Sequence, residues 1–491
     1  MEGVEIERPL KLHFIPYPAS GHMMPLCDIA TLFASRGQQV TIITTPVNAQ
    51  SLTKTLSSAA LRLYTVDFPF QEVDLPVGVE SMTSTTDPIT TWKIHNGAML
   101  LKGPIEEFIA NNPPDCIIAD SAYSWGNDLA RKFQIPNLTF NGSSLFAVSI
   151  FHSLRTNNLL QTDDDADADS DSSSYVVPNL HRDDITLCSK PPKILSRFIG
   201  MMLDTVLKST GYLINNFVEL DGEECVQHYE KTTGHKAWHL GPTSFIRKSV
   251  QEKAEKGKES DVSEHECLNW LKSQRVNSVM YICYGSINHF SDKQLYEIAC
   301  AIEASGHPFI WVVPEKKGKE DESEEEKEKW LPKGFEERNI GKKGFIIRGW
   351  APQVLILSNP AVGGFLTHCG GNSIVEAVGA GVPMITWPCH ADHFCNEKLI
   401  TTVRRIGVEV GVTEWCTNGN GERKKLVSRD NIEKAMRRLM DGGDEAENMR
   451  QRARELGEKA TRAIKEGGSS HNNLLALIDE LKRLRDCKPH D

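Results

Sequence analysis

Twice along this chain, apolar runs of strand length alternate with longer segments of helical patterning, and this double alternation restricts the fold more than any other feature. In the first half, LKLHFIPYP (10–18) reads as a buried strand, ASGHMMPLCDIATLFASRG (19–37) as a loop and then a helix closing at Gly37, and QQVTIITTP (38–46) as the next strand. DCIIAD (115–120), the helical SWGNDLARKFQI (124–135) and PNLTFNG (136–142) continue it. The pattern restarts at SVMYICYGS (278–286) and runs through SDKQLYEIACAIEASG, PFIWVVP, GFIIRGWAP, AVGGFLTHCG, NSIVEAVGAG and VPMITWP. Repeated strand–helix–strand units of this kind build α/β domains around parallel sheets.

Length allows two such domains: 491 residues exceed what one core usually organises. We expect an N-terminal domain over 1–245, a linker over 246–275, a second domain over 276–465, and a last helix over 466–491 that crosses back onto the first. Three polar stretches, 161–174, 248–266 and 315–329, read as exposed loops. The first contains DDDADADSD, whose Asp-x-Asp triplets suggest a divalent cation, but no strand precedes them to hold the carboxylates in place, so no metal site is expected.

Composition excludes other classes. A formal charge of −11 argues against a nucleic-acid surface. Twelve cysteines without a CxxC pair argue against a disulfide framework or structural zinc, and suit a reducing compartment. No apolar stretch reaches the roughly 18 residues of a membrane span. The opening MEGVEIERPLK has no apolar signal core. A cytoplasmic monomer is expected.

Ligands of open α/β sheets bind beyond the carboxyl ends of the strands. There the chain places THCGGNSIVEAVGAGVP (367–383). Free N–H groups at a helix start attract phosphate, Gly370 and Gly371 let backbone approach closely, and His368, Asn372 and Ser373 add donors. Glu376 could reach two ribose hydroxyls. Ser373 and Glu376 equally fit an S-x-x-E capping box, which needs no ligand. WAPQ (350–353) offers Trp350 for stacking, with Ala351 and Gln353 beside it, and WPCHADH (387–393) offers Asp392 and His393. In the first half, His22 and Asp120 both fall at strand ends; they could form a hydrogen-bonded base, or be a helix-start histidine and a cap. No G-x-G-x-x-G follows either first strand, which weakens a dinucleotide oxidoreductase reading.

The segment from Trp350 to His393 resembles the signature box of plant UDP-dependent glycosyltransferases, and SGHMMP, DCIIADSAYSW and GGSSHNN resemble other elements of that family. The nearest branch resembles enzymes acting on triterpenoids, steroids and flavonoids. The resemblance implies the GT-B arrangement, two Rossmann-like doubly wound domains facing across a cleft, with a UDP-sugar as donor, a lipophilic acceptor, no cofactor and no metal. It implies Trp350 on uracil, Gln353 and Glu376 on ribose, His368, Asn372, Ser373 and Ser286 on the diphosphate, and Asp392 and His393 on sugar hydroxyls. His22 would be the general base, oriented by Asp120, in an inverting transfer.

Two positions depart from the family's usual pattern. Gly371 stands where a Trp is usual and should leave a gap in the sugar pocket. His393 stands where glucose-using members have Gln, which favours UDP-galactose over UDP-glucose. The acceptor expected is a triterpenoid saponin intermediate, the alternatives being flavonoid or steroid glucosylation, or a non-catalytic UDP-sugar or metabolite-binding protein.

Overall fold

The computed structural model describes residues 8–53, 61–85, 87–160, 174–246, 264–285, 288, 290–313, 327–416 and 425–487. The Asp-x-Asp stretch, most of the two other polar loops and Ser286 lie outside the described residues.

The front lobe is built on β1 (Lys11–Ile15), β2 (Gln39–Thr44), β3 (Leu61–Thr65), β4 (Cys116–Asp120), β5 (Asn137–Asn141), β8 (Gly211–Ile214) and β9 (Ala237–His239). They pair in parallel in the order β3–β2–β1–β4–β5–β8–β9. A two-stranded antiparallel ladder, β6 (Tyr175–Val176) with β7 (Thr186–Leu187), lies apart from this sheet. The rear sheet contains β10 (Val279–Cys283), β11 (Phe309–Val313), β12 (Gly344–Arg348), β13 (Val362–Thr367), β14 (Met384–Thr386) and β15 (Gly407–Glu409), all parallel, in the order β12–β11–β10–β13–β14–β15. Central strands covered by helices on both faces need apolar residues throughout, and β4 and β13 are buried along their whole length.

Both sheets wind alike. Three strands step outward in one direction; the chain then returns and lays the next strand beside the first. At that return, between β1 and β4 in front and between β10 and β13 behind, the flanking helices diverge and leave a crevice. Both crevices are therefore set by topology before any side chain is considered.

The helix after β1 starts earlier than its sequence suggests. It spans Ser20–Ser35, so Gly21 and His22 lie in its first turn rather than in a loop, and Pro25 sits inside it. Gly37, at φ 79°, follows its end. Within the expected linker, Glu264–Lys272 is helical and buries Cys267 and Leu271 in the rear core. The last helix, Ser469–Asp486, buries Leu474, Leu477, Ile478 and Leu481 in one apolar cluster with Leu10, Leu12 and Leu26 of the front lobe. Ser470 Oγ donates to Gly241 O at 2.6 Å and Arg485 Nη1 to Arg8 O at 2.8 Å.

The lobes also meet directly. The front helices Leu145–Thr156 and Lys193–Lys208 share a continuous apolar cluster with the rear lobe. Arg404 Nε donates to Leu220 O at 2.7 Å and Trp415 Nε1 to Ser189 O at 3.2 Å across this seam. Among the described residues, no helix is long and apolar enough to cross a membrane.

Candidate active site

Because β1 and β4 are neighbours, the residues that follow them are neighbours too. His22 Nδ1 lies 2.8 Å from Asp120 Oδ2, and Asp120 Oδ1 accepts from Ala122 N at 2.9 Å. Asp120 is fully buried, and a buried carboxylate needs such partners. The imidazole keeps 30% of its side chain open to the crevice. Burial alone would favour the neutral ring, but the charge and hydrogen bond of Asp120, with the charge of Asp392, outweigh it and hold His22 above the ordinary histidine pKa. With Nδ1 committed to Asp120, Nε2 is the nitrogen left to accept a proton.

The rear crevice is formed by the start of helix Gly371–Gly379. The capping-box reading does not hold. The N-cap is Gly370 and no side chain caps the helix, while Ser373 stands third in its first turn. Ser373 Oγ and Glu376 Oε2 instead accept from one amide, Gln353 Nε2, at 3.0 and 2.8 Å. Gly370, with no side chain, offers the first-turn N–H groups no cap of its own, and free N–H groups at a helix start attract anions. His368 lies beside it, and a Cβ on Gly285 or Gly370 would stand 2.7 or 2.4 Å from its ring. Gly285 also has φ 78°, so glycine is required there on two counts. Burial, helped by His390, drops the His368 pKa to about 3. The ring is therefore neutral, and its buried Nδ1 has no hydrogen-bond partner among the described residues.

WAPQ reaches the mouth by a route that strand order in the sequence does not reveal. β12 is separated from β13 by β11 and β10, so consecutive strands in the chain are not neighbours in the sheet. Gln353 nevertheless crosses to Ser373 and Glu376, and Tyr281 Oη, from β10, donates to its Oε1 at 3.4 Å. Trp350 is half-buried and Ala351 is buried. On the other side, Asp392 is buried and accepts from Asn396 Nδ2 at 2.9 Å. Burial pushes its carboxyl above the usual range, against the hydrogen bonds from Asn396 and Ser143 and the charge of His22. His393 Nδ1 accepts from Cys389 N and His390 N, each at 3.3 Å, which leaves the ring proton on Nε2. Its ring packs edge-on against His368 at 4.9 Å.

The two crevices face each other at contact distance. Asn372 Nδ2 donates to Gly21 O at 2.7 Å, one residue from His22, and Asn372 Oδ1 accepts from Asn215 Nδ2 at 3.1 Å. The gap expected at Gly371 is closed: a Cβ there would stand 2.5 Å from Gly142 O, so the front lobe's backbone fills the space. Ser144 Oγ donates to Asn396 Oδ1 at 3.0 Å alongside it. Asn215 and Asn396 drew no role from the sequence: Asn215 holds Asn372 of the facing lobe, and Asn396 joins Ser144 of the facing lobe to Asp392 and Cys369 O of its own. Tyr17 was missed as well. Tyr17 packs edge-on to His22 at 5.9 Å and its Oη lies 2.8 Å from His95 Nδ1; His95 stacks on Trp92 at 5.3 Å, and Trp92 is 63% exposed. Among the described residues, no group of His, Cys, Asp and Glu could hold a metal ion.

The family described as UDP-glucoronosyl and UDP-glucosyl transferase matches residues 224–437. UDP-glucosyl transferase 73CC6 of Saponaria officinalis is 44% identical, the alignment covering 98% of this chain and 99% of that protein. UDP-glucose flavonoid 3-O-glucosyltransferase 7 of Fragaria ananassa is 43% identical over 97% of this chain and 96% of its own. Among solved structures, Glycyrrhiza uralensis UGT73P12 complexed with glycyrrhetinic acid 3-O-monoglucuronide superposes with a TM-score of 0.86 at 36% identity, covering 97% of this chain and 96% of that one.

Proposed function

This chain belongs to the plant UDP-dependent glycosyltransferases, and on that premise we propose that it moves a hexose, with inversion, from a UDP-hexose to a hydroxyl of a triterpenoid saponin intermediate. The enzyme class and the small-metabolite acceptor follow from the family; the donor sugar, the acceptor and the residue roles are our reading. The observation that carries it is the Asp120-held imidazole of His22 standing one residue from the bond between Gly21 and Asn372. It supports a base acting opposite a helix mouth that takes the diphosphate.

In this reading the uracil stacks on Trp350 beside Ala351, and Gln353 and Glu376 take the ribose. The diphosphate rests on the N–H groups of Gly370 to Ser373, on Asn372 and on the neutral His368, with Ser286 joining them. Asp392 and His393 take the sugar hydroxyls. The acceptor lies along Trp92, His95 and Tyr17, its apolar body on the rings and one hydroxyl at His22. His22 Nε2 takes the hydroxyl proton as that oxygen bonds to the anomeric carbon. The bond from that carbon to the diphosphate breaks on the opposite face, so an α-linked D-hexose leaves as a β-glycoside. Charge gathering on UDP is met by fixed N–H donors rather than by a cation. The setting proposed is a cytoplasmic monomer of two domains, 1–245 and 276–465, joined by 246–275 and by the returning helix.

His393 supports UDP-galactose as the first donor, since its Nε2–H reaches differently from a Gln amide. UDP-glucose is the second reading, supported by the names of the two relatives above. The glycyrrhetinic acid glucuronide bound by the Glycyrrhiza protein supports a triterpenoid acceptor. Purified protein incubated with UDP-galactose, UDP-glucose and UDP-arabinose against triterpenoid, steroid and flavonoid acceptors, read by mass spectrometry, tests all of this. Galactosylated triterpenoid as the main product supports the first reading. A glucose preference overturns the donor choice, and UDP binding without any product returns the chain to the class of binding proteins.

A further inference from the structure

A proline stands where the helix that carries His22 would otherwise close on itself. In an α-helix the N–H of residue 25 donates to the carbonyl of residue 21, and proline has no N–H. Pro25 lies inside Ser20–Ser35, so Gly21 O is left without its helical donor. The rear lobe supplies a substitute: Asn372 Nδ2 donates to Gly21 O at 2.7 Å. The other end of the same amide is held by Asn215 Nδ2 at 3.1 Å. Around this point the front lobe is stripped of side chains. A Cβ on Gly21 would stand 3.7 Å from Asn372 Nδ2, and one on Gly142 would stand 3.6 Å from Gly21 O and 4.0 Å from His22 Nε2. The freed carbonyl, the base and the donor-binding helix therefore meet in one small volume.

We propose that Pro25 is a positioning residue for transfer: by denying Gly21 O its helical partner it keeps that carbonyl available to Asn372, and the resulting clasp sets His22 against the donor mouth. The proposal rests on the reading that a UDP-sugar occupies that mouth. It differs from a packing role, which the buried Pro25 ring could also play. A packing role asks for bulk at position 25; the clasp asks for the absence of an N–H.

Two substitutions separate these. Pro25→Ala and Pro25→Val both restore the N–H, and Val also keeps most of the bulk. Each is expected to fold with an unfolding temperature at or above that of the parent, because proline is unfavourable inside a helix. In each, kcat should fall about five- to tenfold while the UDP dissociation constant, measured by calorimetry, stays within about twofold, the scale of one lost hydrogen bond between the lobes. Asn372→Ala lowers kcat by itself, and adding Pro25→Ala to it should cost no further kcat, because the clasp is already gone. Parental kcat in both Pro25 variants overturns the proposal. So do a loss confined to Pro25→Ala, additive losses in the double variant, or unfolding of both variants. If the parent protein itself fails to bind UDP, the donor-site reading fails instead.

Discussion

In the proposed mechanism His22 can act as a base only while its ring is neutral, and its neighbours determine the pH at which that holds. Burial lowers its pKa; the Asp120 and Asp392 carboxylates raise it, and the balance lies above the ordinary histidine value. A raised pKa means that protonated, inactive enzyme persists to higher pH. The acid limb of kcat/KM should therefore lie above that of an unperturbed imidazole. Asp392→Asn removes one raising charge and should move the limb to lower pH, even though it also weakens sugar binding and lowers the plateau. A limb that stays put in that variant, measured on residual activity, would show that His22 does not control it. His22→Ala should cut kcat by about a hundredfold or more while calorimetry still finds UDP bound. The placement of these residues was legible in the sequence because each ends a strand or follows one in the connection to the next helix, and strand ends can be read from apolar runs. Pro25 and Asn215 were not, since the parts proposed for them depend on which atoms of the other lobe arrive opposite them. Gly371 shows the difference: its identity could be read, but its consequence could not, because Gly142 O occupies the space where a gap was expected.

The loop that reaches Gly371 is the lead into helix Leu145–Thr156, and Asp221 holds the start of that helix. Its carboxylate accepts from Leu145 N at 3.2 Å, Phe146 N at 3.1 Å, Asn216 Nδ2 at 2.9 Å and His239 Nε2 at 2.9 Å, with almost no exposure to solvent. Asp221→Ala strands those donors in the interior and should cost about 3–5 kcal/mol, read as a lowered urea midpoint. An unchanged midpoint would mean that water replaces the carboxylate at no cost. Against the facing helix, Gly371→Ala places a Cβ 2.5 Å from Gly142 O, a backbone atom that cannot turn aside. The lobes must then part slightly, and kcat should fall roughly 10- to 100-fold with UDP affinity kept, as expected for a sub-ångström to 1 Å misplacement of reacting groups. Parental kcat in that variant would mean that the loop yields freely. At this scale the sequence showed the central strands well, since β1, β4, β10 and β13 carry near-continuous apolar runs. The edge strand β3 has mostly exposed or half-exposed residues, and β9 and β15 have three residues each, too few to show a period. The early start of helix Ser20–Ser35 was hidden by Gly21 and Pro25, two residues that ordinarily mark loops.

Chemistry at the seam requires that two separately wound sheets keep a fixed relation, and the chain secures this by returning to where it began. The final helix leaves the rear lobe and joins the same apolar cluster as β1 and the helix that bears His22. Leu477 is 1% exposed in that cluster, beside Leu474, Ile478 and Leu481. Each such side chain contributes about 2 kcal/mol by burial, so the helix is held mainly by its apolar face, with Ser470 and Arg485 fixing its register on the front lobe. Leu477→Ala should therefore cost about 2–5 kcal/mol, measured by urea unfolding. Its effect on function should be uneven. The groups assigned to UDP all belong to the rear lobe, so UDP affinity should hold near the parental value at temperatures where the protein stays folded. The helix bearing His22 loses part of its support, and kcat should fall. Equal losses in UDP affinity and kcat would mean that the returning helix supports the molecule as a whole; a loss in kcat alone would mean that its packing reaches the base through the front core.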